Sequence, residues 1–415
     1  MPDTIPDEGA LDRSLALLRE GYRFGPRRFA RWATDAFRAR LMLRRATLVR
    51  GAGMAEMFYD GDRFTRRGGM PVTTLKLLQD RNSVQMLDGE DHRHRKAMFL
   101  SLMGEAEAGR LARIAEEEWR RRLPDWERER EVVLFDEARD ILFRAACAWG
   151  GVPLRPDEAG QRLREAAEMI EGSGRVGPRN WRAQLLRSRH EAWARRVIER
   201  ARASTPAPPG SALAVIASHR DRSGKLLDAS TAAVELINVI RPTQAVARFV
   251  VFAALALHRH PEIASGIRQG DEAHLQSFVQ EVRRMTPFLP MVGGRARQGF
   301  DWRGLRVARG DWVLIDLFAT CRDPDLWDAP ETFRPDRFQG RVPTPYDLIP
   351  QGAGNAATGH RCPGEAIALA LTRMAARMLA VEMRYEVPPQ DLRVDLRRIP
   401  ALPASGLVLR GVTRA

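Results

Sequence analysis

The alternation of apolar and polar positions divides the chain into long helical stretches and a few short extended ones. Leu11–Leu18 has the spacing of a short amphipathic helix. Tyr22–Arg40 reads as an arm and a helix, Thr47–Arg50 as a strand before a glycine turn, and Met54–Asp60 as a further helix. From there to about Arg202, segments rich in Ala, Leu, Glu and Arg recur at helical spacing, Asp136–Trp149 among them. Ser204–Ser211, carrying Pro206, Pro208 and Pro209, is a connecting loop. Long helices are predicted from Leu226 to about His258 and from Leu275 to Met285. Phe300–Val307 and Asp311–Ala319, parted by an Ala-Arg-Gly turn, read as a hairpin. Met383–Val412 alternates short strands with proline turns. The pattern as a whole predicts a mainly α fold with small β-sheets at the two ends of the chain.

Composition narrows this picture. The chain has 415 residues, 44% of them hydrophobic, enough to bury a substantial core. Its longest uninterrupted apolar run, Phe249–Leu257, falls far short of the roughly 18 residues that span a bilayer. Met1–Ala10 is polar and has no signal-peptide pattern. The expectation is a cytoplasmic protein with no membrane anchor. The net charge of +14 rests on arginine, since Lys76, Lys96 and Lys225 are the only lysines. Arginine is spread over every segment and interleaved with Asp and Glu, which describes solvated helix faces and not a nucleic-acid surface. Three cysteines, Cys147, Cys321 and Cys362, make no disulfide framework. Cys147 falls in a helix-like segment and is assigned to the core, while Cys321 follows the predicted hairpin with no loop suited to a ligand.

Cys362 is different. The run Gln351-Gly352-Ala353-Gly354-Asn355-Ala356-Ala357-Thr358-Gly359-His360-Arg361-Cys362-Pro363-Gly364-Glu365 leads directly into the apolar Ala366–Met374. The cysteine therefore sits just ahead of a helix N-terminus, where free N–H groups and the dipole favour negative charge. That placement predicts a bias towards the thiolate, the form that ligates metal. Gly364 lets something flat approach the backbone. A thiolate beneath a flat macrocycle is a haem arrangement that favours O–O cleavage. A glycine loop with a buried cysteine, or a haem-sensing Cys-Pro motif, are the other readings of this stretch alone.

Two further motifs bear on the choice. Glu281-Val282-Arg283-Arg284 sets a carboxylate and a guanidinium at i and i+3 on one helix face. Downstream, Asp323–Pro330 and Phe333-Arg334-Pro335-Asp336-Arg337-Phe338 are too rich in proline for regular structure, yet carry Trp327, Phe333 and Phe338 to bury. They predict a packed irregular coil, with Arg337 able to join Glu281 and Arg284. In order and spacing, these motifs and the Cys362 loop resemble the cytochrome P-450 superfamily along essentially the whole chain. The resemblance implies the cytochrome P-450 fold in a single haem-thiolate domain over residues 1–415. It also implies haem b with Cys362 as axial ligand to the iron, and Glu281, Arg284 and Arg337 as a structural triad.

Departures from the common pattern point to a subfamily. Asn355 and Thr358 occupy positions where most P-450s have Phe and Gly, and the longer loop resembles that of bacterial fatty-acid peroxygenases, which use hydrogen peroxide. The predicted long helix lacks the acid–alcohol pair of ordinary monooxygenases and reads Asn238-Val239-Ile240-Arg241-Pro242-Thr243-Gln244. Pro242 cannot donate to the Asn238 carbonyl and should open or kink the helix. Arg241 is costly to bury in an apolar stretch without an anion, and Glu235 is six residues back. Either its guanidinium snorkels to solvent, or an incoming carboxylate supplies the charge in bidentate geometry. The Arg-Pro pair is also what the peroxygenases carry.

The resemblance further places Gln85 over the haem, where Gln accompanies hydroxylation and His decarboxylation. It makes His92 and Lys96, i and i+4 on a predicted helix, partners of the haem propionates, with Arg361 and Arg66 as additional candidates. Gln79, Phe288 and Met291 would line the substrate pocket, Gln79 and Met291 replacing aromatic residues of many relatives.

The expected activity is peroxide-dependent hydroxylation of a free fatty acid at the α or β carbon. Arg241 would hold the carboxylate, and no redox partner would be required. Fatty-acid decarboxylation, a redox-partner-dependent monooxygenase, and a haem-binding sensor without turnover are the alternatives.

Overall fold

The computed structural model describes residues 5–203 and 207–415; residues 1–4 of the polar N-terminal stretch and 204–206 of the proline loop lie outside them. Helices dominate, as the periodicity predicts. Leu134–Trp149, Ala229–Ala245, Ala247–Arg259 and Glu365–Arg377 pack into one large apolar cluster that also takes Cys147. Ala229–Ala245 runs through the middle and is buried almost continuously from Thr231. It starts cleanly because the Asp228 carboxylate accepts from the free N–H groups of Ser230 (3.0 Å) and Thr231 (2.9 Å). Pro242 does not break it. The residues stay helical to Ala245 and the interruption comes at Val246. Ala229–Arg259 is apolar and long enough to cross a membrane by composition, but 89% of its most apolar window is buried inside the fold, so the core accounts for that apolarity.

The sheets depart from expectation in three places. Ala36–Leu41 is a strand, not the end of a helix, because Phe37, Ala39 and Leu41 alternate inward at a period of two. The hairpin lies entirely within the first predicted strand, where Phe300–Trp302 pairs with Leu305–Val307. Trp312–Asp316 instead joins a five-stranded sheet, parallel to Arg44–Val49 and antiparallel to Met291–Ala296, and Leu317–Thr320 turns helical. The sheets are thus not confined to the chain ends, since Val132–Val133 pairs with Val408–Arg414. The short N-terminal helix forms at Ser14–Glu20; Ala16 and Leu17 pack against the cluster of Phe24 and Phe37, while Leu15 and Leu18 are 57% and 45% exposed.

The irregular coil after Cys321 hangs on one buried ion pair. Glu281 and Arg284 meet through two hydrogen bonds of 2.7 Å with both side chains inaccessible. Arg284 also donates to the carbonyls of Cys321 and Pro330, each at 2.8 Å. Glu281 accepts from the Arg334 amide (2.8 Å) and from Arg337 Nε (3.2 Å). Trp327 is fully buried, with Arg284 over its ring. Removing one partner strands the other charge in a dry site. Arg284→Ala should therefore cost about 3–5 kcal/mol in urea unfolding, whereas Arg334→Ala, which breaks an exposed pair with Asp328, should cost no more than about 1 kcal/mol.

Candidate functional site

The loop carrying Cys362 is pinned from two directions. The Cys362 amide donates to the Gln351 carbonyl (3.1 Å), closing the loop on itself. Arg283, buried beside the ion pair just described, donates to Gln351 Oε1 (3.1 Å) and to Glu365 Oε1 (2.7 Å) on the following helix. Gly352 and Gly354 take left-handed backbone (φ +96° and +77°), and a Cβ on Gly352 would meet the Tyr59 hydroxyl at 3.0 Å. The thiol differs from expectation. Burial pushes its pKa up, and the Gly364 amide and Lys96 only partly oppose this, so the helix N-terminus alone does not make a thiolate here.

Around Cys362 the structure gathers Arg66, His92, Lys96 and His360. The His92 and His360 rings lie 4.1 Å apart. Lys96 Nζ donates to the Gly359 and Arg361 carbonyls (2.7 and 2.5 Å). Arg66 lies over the rings of Phe58 and Tyr59 and reaches the Gly293 carbonyl at 3.4 Å. Burial draws each towards its neutral form: His92 to about 4, with Lys96 adding repulsion; Lys96 to about 8, with Cys362 opposing; His360 downward, with Arg66 and His92 adding repulsion; and Arg66 downward, with Tyr59 and Asp88 opposing. Asp62 and Asp88 act on this group electrostatically, but among the described residues no carboxylate pairs with Lys96 or Arg66. A half-buried thiol beside crowded cationic groups fits an iron macrocycle with acidic side arms, so the donor set suits haem. Arg361 does not join them. Its guanidinium is held bidentately by Glu365 (2.7 and 2.9 Å), a pairing legible as i and i+4. His360 was not singled out from the sequence, although it stands two residues before the ligand.

The second group sits on the Ala229–Ala245 helix. Arg241 is 6% exposed and does not reach solvent. It donates to the Leu78 carbonyl at the end of the Val72–Leu78 helix, and its Nε has no partner. Among the described residues no carboxylate lies within ion-pair distance, and Arg187, bonded to the neighbouring Leu77 carbonyl (3.2 Å), adds like charge. Burial first, then Arg187, draws the guanidinium down to about 9. Thr243 is no proton donor to a ligand, because its hydroxyl donates to the Val239 carbonyl (3.0 Å).

Gln85 lies on the Val84–Met86 turn with Oε1 buried and unpartnered. The Gln79 carbonyl accepts from Asn238 (3.3 Å). Phe288 stacks on Phe249 (4.9 Å between ring centres) against the helical core. Met291 does not belong with it. It opens a strand and packs with Phe24, Phe37 and Leu314 in a cluster beside the sheet, because strand pleating turns alternate side chains to opposite faces.

Comparison with known proteins matches residues 273–393 to the family described as Cytochrome P450. Cytochrome P450SP alpha (CYP152B1), solved in complex with (R)-ibuprophen, is 45% identical, with 97% of this chain and 99% of that one covered and a TM-score of 0.94. Cytochrome P450EX alpha (CYP152N1), solved with myristic acid, is 38% identical, with 99% of this chain and 100% of that one covered and a TM-score of 0.96. Psoralen synthase of Ammi majus is 33% identical over 145 residues, 33% of this chain, and the match spans 27% of that protein's length.

Gly364 has an ordinary φ of −88°, and a Cβ there would touch Met103 Sδ at 3.6 Å and Cys362 Sγ at 3.9 Å. Gly364→Ala should therefore leave the haem-free chain within about 0.5 kcal/mol of its original stability. Its methyl would crowd the face beside the thiol, so haem content per chain, measured on the purified protein, should fall.

Proposed function

Because the chain belongs to the cytochrome P450 family, and within it to the CYP152 group, we propose that it hydroxylates free fatty acids at the α or β carbon with hydrogen peroxide as oxidant. The observation that carries this reading is the buried guanidinium of Arg241, which among the described residues faces no carboxylate. A substrate carboxylate would answer that charge with two parallel hydrogen bonds. Two relatives were solved with carboxylic acids, myristic acid and (R)-ibuprophen, which supports the same ligand class here.

Haem, ligated by Cys362 and flanked by Arg66, His92 and Lys96, would supply the oxidising iron when bound. Everything else falls to the chain and its substrate. Holding the acid by its head brings the α and β carbons to the reacting end of the pocket and sends the tail away from it. The helix offers no proton relay of its own. Thr243 is bonded to its own backbone, and Glu235 accepts from Val84 and Arg95. The bound carboxylate would therefore act as the general acid–base, carrying the peroxide proton to the departing oxygen so that water leaves. The balance is fatty acid plus hydrogen peroxide giving hydroxy acid plus water. Binding and catalysis are then coupled, and a substrate without a carboxylate should lose kcat as well as affinity. Pro242, which has no N–H, would leave the Asn238 carbonyl without its helical donor beside Arg241. Gln85, with its free Oε1, is the nearest candidate to steer hydroxylation over decarboxylation.

Incubation with peroxide and myristate, followed by mass spectrometry, should give 2- or 3-hydroxymyristate. A terminal alkene would instead identify a decarboxylase, and no product would favour a sensor. Arg241→Ala should reduce kcat/KM by an amount equivalent to about 2–5 kcal/mol. Near-normal peroxide-driven turnover in that variant, or equal turnover of the matching fatty alcohol, would overturn the reading.

A further inference from the structure

The one acid on the interior of the Ala229–Ala245 helix is Glu235, wholly buried and not directed at Arg241. Its Oε1 accepts from the Val84 amide at 2.8 Å and from Arg95 Nη1 at 3.4 Å, and its Oε2 accepts from Asn238 Nδ2 at 3.1 Å. Each of these contacts leads to the segment 78–86. Val84 opens the turn that bears Gln85. Arg95 Nη1 also donates to the Asn82 carbonyl at 2.8 Å, and Asn238 Nδ2 to the Gln79 carbonyl at 3.3 Å. One turn further on, Arg241 donates to the Leu78 carbonyl.

Residues 235, 238 and 241 follow one another at i+3 along the helix, and their partners 84, 79 and 78 run the opposite way. The segment is thus laid antiparallel on one stripe of the helix and fastened at three points. We propose that Glu235 is a positioning residue that fixes the Gln85 turn in register with Arg241.

Stability alone does not explain a carboxylate here. A buried ion pair is often matched or exceeded by apolar residues of the same volume, so its distinctive contribution is direction. The Val84 amide, at the start of a short turn, would otherwise be an unpaired buried donor. Burial pushes the Glu235 carboxyl up to about 7, and Arg95, Asn238 and the Val84 amide oppose that rise, so these donors favour the charged form against the dry surroundings. The stripe also spaces the two ends of the proposed site, since Arg241 holds one end of the segment and Glu235 the end next to Gln85. The consequence for chemistry rests on the proposed carboxylate role of Arg241; the fastening itself does not.

The test uses the holoenzyme and three variants: Glu235→Leu, Glu235→Gln, and Arg95→Met at the half-buried rim of the same network. In Glu235→Leu, amide exchange across residues 80–86 should speed up about 5- to 100-fold, the range expected for an unpaired buried donor. Exchange in the Leu134–Trp149 helix should not change. With myristate and peroxide, KM should hold, because Arg241 stays on its own helix. Turnover should fall about 10- to 100-fold and the α-to-β product ratio should move, the scale for a displaced site group. Glu235→Gln keeps an acceptor for Val84 and should restore most of both readouts.

Should Glu235→Leu not fold, Arg95→Met should reproduce the exchange change in smaller measure. Unchanged exchange at residues 80–86 in whichever variant folds would overturn the proposal, as would faster exchange with turnover and product ratio both unmoved. If the unaltered enzyme makes no hydroxylated product, the functional reading fails, while the exchange data still decide whether Glu235 holds the turn.

Discussion

A guanidinium inside a fold needs an answer to its charge, and among the described residues Arg241 receives only a backbone carbonyl. The apolar helix that carries it is buried almost along its length, and the arginine itself is buried with it. The carbonyl belongs to the end of the Val72–Leu78 helix, where the dipole is weakly negative, which is enough to orient the group but not to neutralise it. The surrounding structure adds to this imbalance and does not relieve it. Arg187 takes the adjacent carbonyl, and Glu235 is occupied elsewhere.

The other half of the site has the converse arrangement, with several cationic groups crowded near one thiol. Its rigidity comes from a single helical turn. Glu281 and Arg284 secure the irregular coil on one side, and Arg283, between them in sequence, secures the Cys362 loop through Gln351 and Glu365 on another. Glu365 then holds Arg361, so loop and helix start share one carboxylate. Coil and ligand loop are separate in sequence but are held by neighbouring residues, and displacing either would strain the same turn.

Much of this was legible in the chain. Glu281 and Arg284 stand at the spacing that brings side chains together on a helix, and the proline-rich aromatic stretch after Asp323 had to be a packed coil. Cys362 was marked by its glycine loop and the helix behind it. Arg241 was marked by being charged where everything around it is apolar. What was missed depends on partners distant in sequence. Ala36–Leu41 is too short and charged for its inward alternation to outweigh helical propensity until the neighbouring strands are known. Met291 is placed in the pocket by the resemblance, as the replacement of an aromatic residue of many relatives, but a strand begins there and it packs with Phe24, Phe37 and Leu314. Glu235 read as a remote acid, since Val84 and Arg95 come to it from some 140 to 150 residues away.

The choice of arginine over lysine has a practical outcome. Of the three lysines, Lys96 is buried beneath the cysteine loop with its ammonium on two carbonyls, while Lys76 and Lys225 are exposed. An amine-reactive label or resin would therefore find two side chains, one on the Val72–Leu78 helix and one in the turn before Asp228. Coupling through Lys225 would tether the enzyme to a support with the Arg241 end of the pocket wall untouched, whereas coupling through Lys76 would load the very helix whose last carbonyl steadies that arginine.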